Sequence, residues 1–138
     1  MSINKIIFLW GILFILPLAG CKKNTTPNRV SRLIKKGTWE ITSLLLANED
    51  RTSDFEGVKF RFEEDGGIVV EGDNTVTGNW AAGAEKDPAI LQWTVSPIGI
   101  YIPLNADWSV TSATRKQMVL ELREATHTNT MMLTNTTL

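Results

Sequence analysis

The sequence predicts an all-β domain, a small antiparallel up-and-down meander barrel of about eight strands behind a short N-terminal helical turn. Three observations carry this expectation. From Gly37 onward apolar residues alternate with polar ones at period two, not 3.6. Turn-forming residues fall between the alternating runs. Only one stretch, just before the first run, has helical spacing.

That helical stretch comes first in the domain. Ser31 is placed to cap it, Val30, Leu33 and Ile34 share a face at i, i+3, i+4 spacing, and Gly37 follows as a stop. So short a helix needs a partner to be stable, and the base of a barrel offers one. Trp39 and Ile41 then alternate with Glu40 and Thr42 before the apolar run Leu44-Leu45-Leu46. Val58, Phe60 and Phe62 alternate with Lys59, Arg61 and Glu63. Val76, Gly78 and Trp80 interleave with threonines and Asn79, and Leu91, Trp93 and Val95 with Gln92 and Thr94. Trp108 and Val110, then Met118, Leu120 and Leu122, repeat the pattern. Ile68-Val69-Val70, Ile100-Tyr101-Ile102 and Met131-Met132-Leu133 add three short apolar runs read as strands.

Between them, Glu64-Asp65-Gly66-Gly67 and Gly72-Asp73-Asn74 are tight-turn signals. Ser96-Pro97-Ile98-Gly99, Thr114-Arg115-Lys116 and Thr126-His127-Thr128-Asn129 also read as turns. Residues 81–88 read as the longest flexible loop.

The N-terminus has a different character. Lys5 precedes an unbroken apolar run from Ile6 to Leu16, Pro17 breaks it, and Leu18-Ala19-Gly20-Cys21 follows. This run resembles the lipobox of bacterial lipoproteins at all four positions. The resemblance implies a signal peptide over residues 1–20, cleavage before Cys21, and a diacylglycerol and fatty acyl (palmitate) lipid on that residue. A membrane-spanning anchor needs about 20 apolar residues, and only Ile6 to Gly20 are available before Lys22 and Lys23. Ordinary cleavage leaving a free thiol is the other alternative. Residues 21–30 read as a flexible polar tether that places the barrel domain, 31–138, roughly 15–20 Å from the bilayer.

Charge is divided along the chain. Residues 22–36 carry six bases and no acid; from Gly37 onward fifteen acids face seven bases. A basic segment beside a membrane suits anionic headgroups. An acidic domain makes nucleic acid an unsuitable partner, since phosphate binding needs a basic face. Cys21 is the only cysteine, so no intrachain disulfide is available and the core must hold the fold unaided.

The order of motifs resembles the lipocalin-like (calycin-like) domains of small bacterial lipoproteins. Gly37-Thr38-Trp39 matches the G-x-W entry of lipocalins, followed by Phe60-Arg61-Phe62 with Asp65-Gly66, then Thr77-Gly78-Asn79-Trp80, then Leu104 through Trp108. The resemblance implies that Trp39 packs at the closed end of the barrel under a late-strand arginine, for which Arg123 is the candidate by position. The chain is shorter than a full lipocalin.

Trp39, Phe60, Phe62, Trp80, Trp93 and Trp108 are the candidate lining of an apolar ligand pocket; the alternative is that they simply fill the interior. Catalytic residues are not expected. His127 is the sole histidine and sits among threonines, and no serine lies in a nucleophile-elbow setting. Cys/His metal sites are excluded by count, and the carboxylates at Glu63-Glu64-Asp65, Glu71 and Asp73 read as solvated turn acids. The functional expectation is a non-enzymatic lipoprotein of the cell envelope, at the outer membrane facing the periplasm. It would bind a small apolar ligand or an envelope protein; the alternative is a structural or inhibitor-like interaction role with a filled barrel. No cofactor is expected beyond the covalent lipid on Cys21.

Overall fold

A computed structural model describes residues 25–83, 88–95 and 99–137. The span read as a signal peptide, Cys21, and parts of the loops expected at 81–88 and 96–99 lie outside the described residues.

One helix, α1 (Pro27–Ile34), precedes nine strands: β1 (Trp39–Leu46), β2 (Glu49–Asp50), β3 (Lys59–Phe62), β4 (Gly67–Glu71), β5 (Thr75–Gly83), β6 (Ile90–Val95), β7 (Ala106–Ala113), β8 (Gln117–Arg123) and β9 (Thr128–Asn135). Strands β3 through β9 follow one another around the sheet, β3 pairs with β1, and β1 pairs with β9. That last pairing closes an eight-stranded antiparallel barrel, to which β2 is a two-residue addition on β1. Closure removes the free edges that an open meander would expose.

Local irregularities make so small a barrel curve. The ladder shifts between Ile41 and Ser43 against β9, and between Val110 and Ser112 against β8. Such bulges increase twist and bend the strand. At Gly78 a side chain would run into the Thr94 carbonyl and Val95 Cα of β6, so only glycine allows the two backbones to approach there.

The alternation expected from the sequence is realised. Inward positions on the barrel strands are apolar apart from two buried asparagines, Asn129 and Asn135, near opposite ends of β9. Both are satisfied. Asn129 Oδ1 accepts Ala47 N–H at 2.9 Å, holding the β1–β2 turn where Ala47 and Asn48 have positive φ. Asn135 Nδ2 donates to Lys36 O at 2.6 Å, and its Oδ1 accepts both the N–H and the hydroxyl of Thr137.

Both ends are plugged. At the first end α1 inserts Val30, Leu33 and Ile34, and Trp39 Nε1 donates to Ile34 O at 2.9 Å. At the second end two 3₁₀ turns, Thr52–Phe55 and Gly99–Leu104, bury Phe55, Tyr101 and Leu104. Asn105 ties the latter to β6 by bonding both the N–H and the carbonyl of Val95, at 2.7 and 2.8 Å.

Four expectations are corrected. Ala81, Ala82 and Gly83, read as the start of a loop, extend β5 and pair with Gln92, Leu91 and Ile90 of β6. The helix starts at Pro27, with Thr26 and not Ser31 at the cap position, and Thr25 is already buried. The folded body therefore begins inside the span read as tether. Proline suits the first helical position because its fixed φ is helical and its missing N–H is not needed there. Next, Ile100-Tyr101-Ile102 is not a strand but part of the 3₁₀ turn, where Pro103 could not have donated to a ladder. Finally, Arg123 does not cover Trp39. Arg123 pairs with Thr128 at the far end of β8, whereas Trp39 pairs with Asn135, beside the strand's start. The role expected of a stacked arginine falls to α1.

Candidate functional site

The six aromatic candidates are all buried, and five of them are at most 2% exposed. Most form one column. Trp80 meets Phe62 edge-on at 6.0 Å; Phe62 stacks on Trp93 at 5.7 Å; Trp93 lies 5.5 Å from Phe60. Phe60 continues to Phe55 at 6.4 Å and Phe55 to Tyr101 at 6.1 Å. The column thus ends on the plug of the second end. Offset and edge-on pairs at these spacings are favourable ring geometries. Trp39 and Trp108 stand apart from the column. Each is anchored by its N–H, Trp39 on Ile34 O and Trp108 on Leu104 O at 3.0 Å.

Trp80 Nε1 likewise donates to Glu63 O, at 2.9 Å. Trp93 is the exception: its Nε1 is buried with no partner among the described residues. A buried unpaired donor carries a desolvation cost.

None of the six lines the grooves on the second end. One groove, about 510 Å³, runs along Glu40, Ile41, Asp50, Thr52, Phe55 and Glu56. Another, about 810 Å³, shares Glu56 and Gly57 with it and extends past Asp54, Asp73, Ile100 and Tyr101. Five acids and no base line the two together, and both open to solvent. Asp50 is held anionic: the hydroxyl and N–H of Thr52 donate to its carboxylate and lower its pKa. Phe55 and Tyr101 escaped the sequence reading as site-forming residues, because each lies in a short turn with no periodicity to betray burial.

The other candidates have structural occupations. Arg61 pairs with Glu63 at 2.9 Å and with Glu71 at 3.2 Å, and Asp65 Oδ1 accepts Gly67 N–H within its turn. His127 shares a hydrogen bond with the neighbouring Thr126. Among the described residues no group of three or more His, Cys, Asp or Glu is placed to hold a metal ion. No helix among them is long and apolar enough to cross a membrane.

Compared with family models, curated proteins and solved structures, the chain finds no match.

Proposed function

We propose that this chain is a bacterial envelope lipoprotein, anchored by lipid on Cys21, whose lipocalin-like barrel is a filled, non-catalytic protein-interaction module. The observation that carries the reading is the aromatic column, which occupies the interior from Trp80 to Tyr101 while plugs cover both ends. A ligand carrier of this size would need that volume empty. The lipobox resemblance supports anchoring. Lys22 after the cysteine fits sorting to the outer membrane, facing the periplasm, with envelope proteins as partners.

One observation favours the second reading, a small apolar ligand inside the barrel. The unpartnered Trp93 Nε1 would suit a ligand with a single acceptor. Native mass spectrometry of the barrel purified from its host, with tryptophan fluorescence against fatty acids, separates the two. The filled barrel carries nothing and ignores the panel; a co-purifying small molecule overturns it. Palmitate labelling in cells, lost in Cys21→Ala, tests the anchor.

A further inference from the structure

The first end of the barrel is basic, and its basic residues are gathered by the fold from distant segments. Arg29 and Arg32 lie on α1, Lys35 and Lys36 at its exit, and Arg115 and Lys116 in the β7–β8 turn. Asn135 joins the two groups: it takes the Lys36 carbonyl with its side chain and the Lys116 carbonyl with its backbone N–H, at 2.6 and 2.8 Å. Arg29 shares an open surface hollow with Thr114, Arg115 and Lys116. Of these six cations, Lys35 alone has an ion pair among the described residues, with Glu64 at 3.1 Å. The acids nearest in the topology belong to the β3–β4 turn, where Lys35 takes Glu64 and Arg61 takes Glu63, leaving Asp65. The β5–β6 connection adds, by sequence, Glu85, Lys86 and Asp87. The acidic grooves lie at the opposite end.

Chain length makes this polarity consequential. Thr25 is buried and its carbonyl accepts Ala89 N–H at 2.7 Å, so the folded body begins there. Three residues separate it from Cys21, so the four steps of chain reach at most about 14 Å. That is comparable to the screening length of about 8 Å at physiological salt, within which surface potential acts. A lipid on Cys21 therefore holds the first end, and not the second, close to the headgroups.

We propose that Arg29, Arg32, Lys36, Arg115 and Lys116 form a membrane-docking face for anionic phospholipid headgroups, which orients the barrel with its acidic grooves pointing away from the bilayer. Docking in place rests on the lipid anchor at Cys21; the affinity of the face for anionic lipid does not.

The test uses the barrel with its basic segment, residues 22–138, which retains the whole described core, in co-sedimentation with vesicles. The protein binds phosphatidylglycerol-containing vesicles at low salt, is released at high salt, and ignores pure phosphatidylcholine. Neutralising three exposed bases together (Arg32→Gln, Lys36→Gln, Lys116→Gln) weakens binding about a hundredfold, at roughly fivefold per base. Arg51→Gln with Arg123→Gln, two bases at the opposite end of the barrel, leaves binding unchanged, and matching thermal melts show that all variants fold. No preference for anionic vesicles overturns the proposal. So does a face variant that binds like the parent, or a loss confined to Lys22→Gln with Lys23→Gln, which would assign binding to the tail. Palmitate labelling of the full chain is scored separately. A missing label beside intact vesicle binding removes the anchor and leaves the face.

Discussion

Of the four tryptophans in the barrel, three donate their N–H to a carbonyl and one does not, and this difference predicts unequal losses from the same substitution. Trp39→Phe strands the Ile34 carbonyl in the packed first end, which alone costs about 1–3 kcal/mol. Trp93→Phe opens a comparable void but removes a donor that already lacks a partner and strands no acceptor, so it costs about 1–3 kcal/mol less than Trp39→Phe. Urea midpoints of the two variants check this; equal losses would mean that Trp93 Nε1 has a partner. Tyr101, the only tyrosine, makes a second test selective. Burial first, and the charge of Asp73 second, raise its pKa above the ordinary tyrosine value. The fold thus favours the neutral phenol. Its contribution is complete below pH about 10, and it is lost as pH rises through the higher folded value. Phenolate absorbance in the folded protein titrates above the midpoint seen in urea, and Asp73→Asn moves it part of the way back. Coincident midpoints in buffer and urea would refute this.

At the scale of elements, the plugs matter as much as the strands. Leu33→Ala in α1, which packs on β5 and β7, and Phe55→Ala in the first 3₁₀ turn, where the ring meets Phe60 and Tyr101, each remove a buried side chain. Expected losses are about 2–5 kcal/mol for the leucine and about 3–5 for the phenylalanine, read from denaturant unfolding. A loss near zero at either position would mean that its end is not sealed by that residue. The strands were legible because a half-buried strand imposes period two on its own residues, as in Val58–Phe62 or Met118–Leu122. The plugs were not. The first turn of α1, Pro27-Asn28-Arg29-Val30, has one apolar residue and reads as a polar tether, although Val30 is fully buried. Ile100-Tyr101-Ile102 has strand composition, yet Ile102 is 55% exposed and Tyr101 alone of the three is buried. Where three residues make one turn, burial is decided by what lies opposite, and composition carries no trace of it.

On the scale of the whole molecule, meander order followed from the spacing of turns, whereas closure depends on β1 pairing with β9 over more than eighty residues of sequence. Whether the closed interior is empty or filled was equally out of reach, because the same aromatic residues would line a pocket or occupy it. The alternation of Phe60, Phe62 and Trp93 with polar neighbours says that they face inward and nothing about what they meet there. The structure has them meeting one another, with Trp93 between Phe60 and Phe62. Removing the middle of that column should create the space that the parent lacks. Trp93→Ala is expected to lose about 3–5 kcal/mol, and an apolar cavity of indole size in a rigid core stays available to an apolar guest. Added indole should therefore raise the melting temperature of Trp93→Ala in a saturable way, by mass action on the folded state alone. It should leave the parent unmoved, because the parent already carries the indole on its own chain. Stabilisation of the parent by indole or by a fatty acid would show unoccupied volume inside the barrel and return the ligand-carrier reading to first place. Rescue confined to Trp93→Ala would locate the filled volume at the centre of the column and leave the outer surface as the place where partners bind.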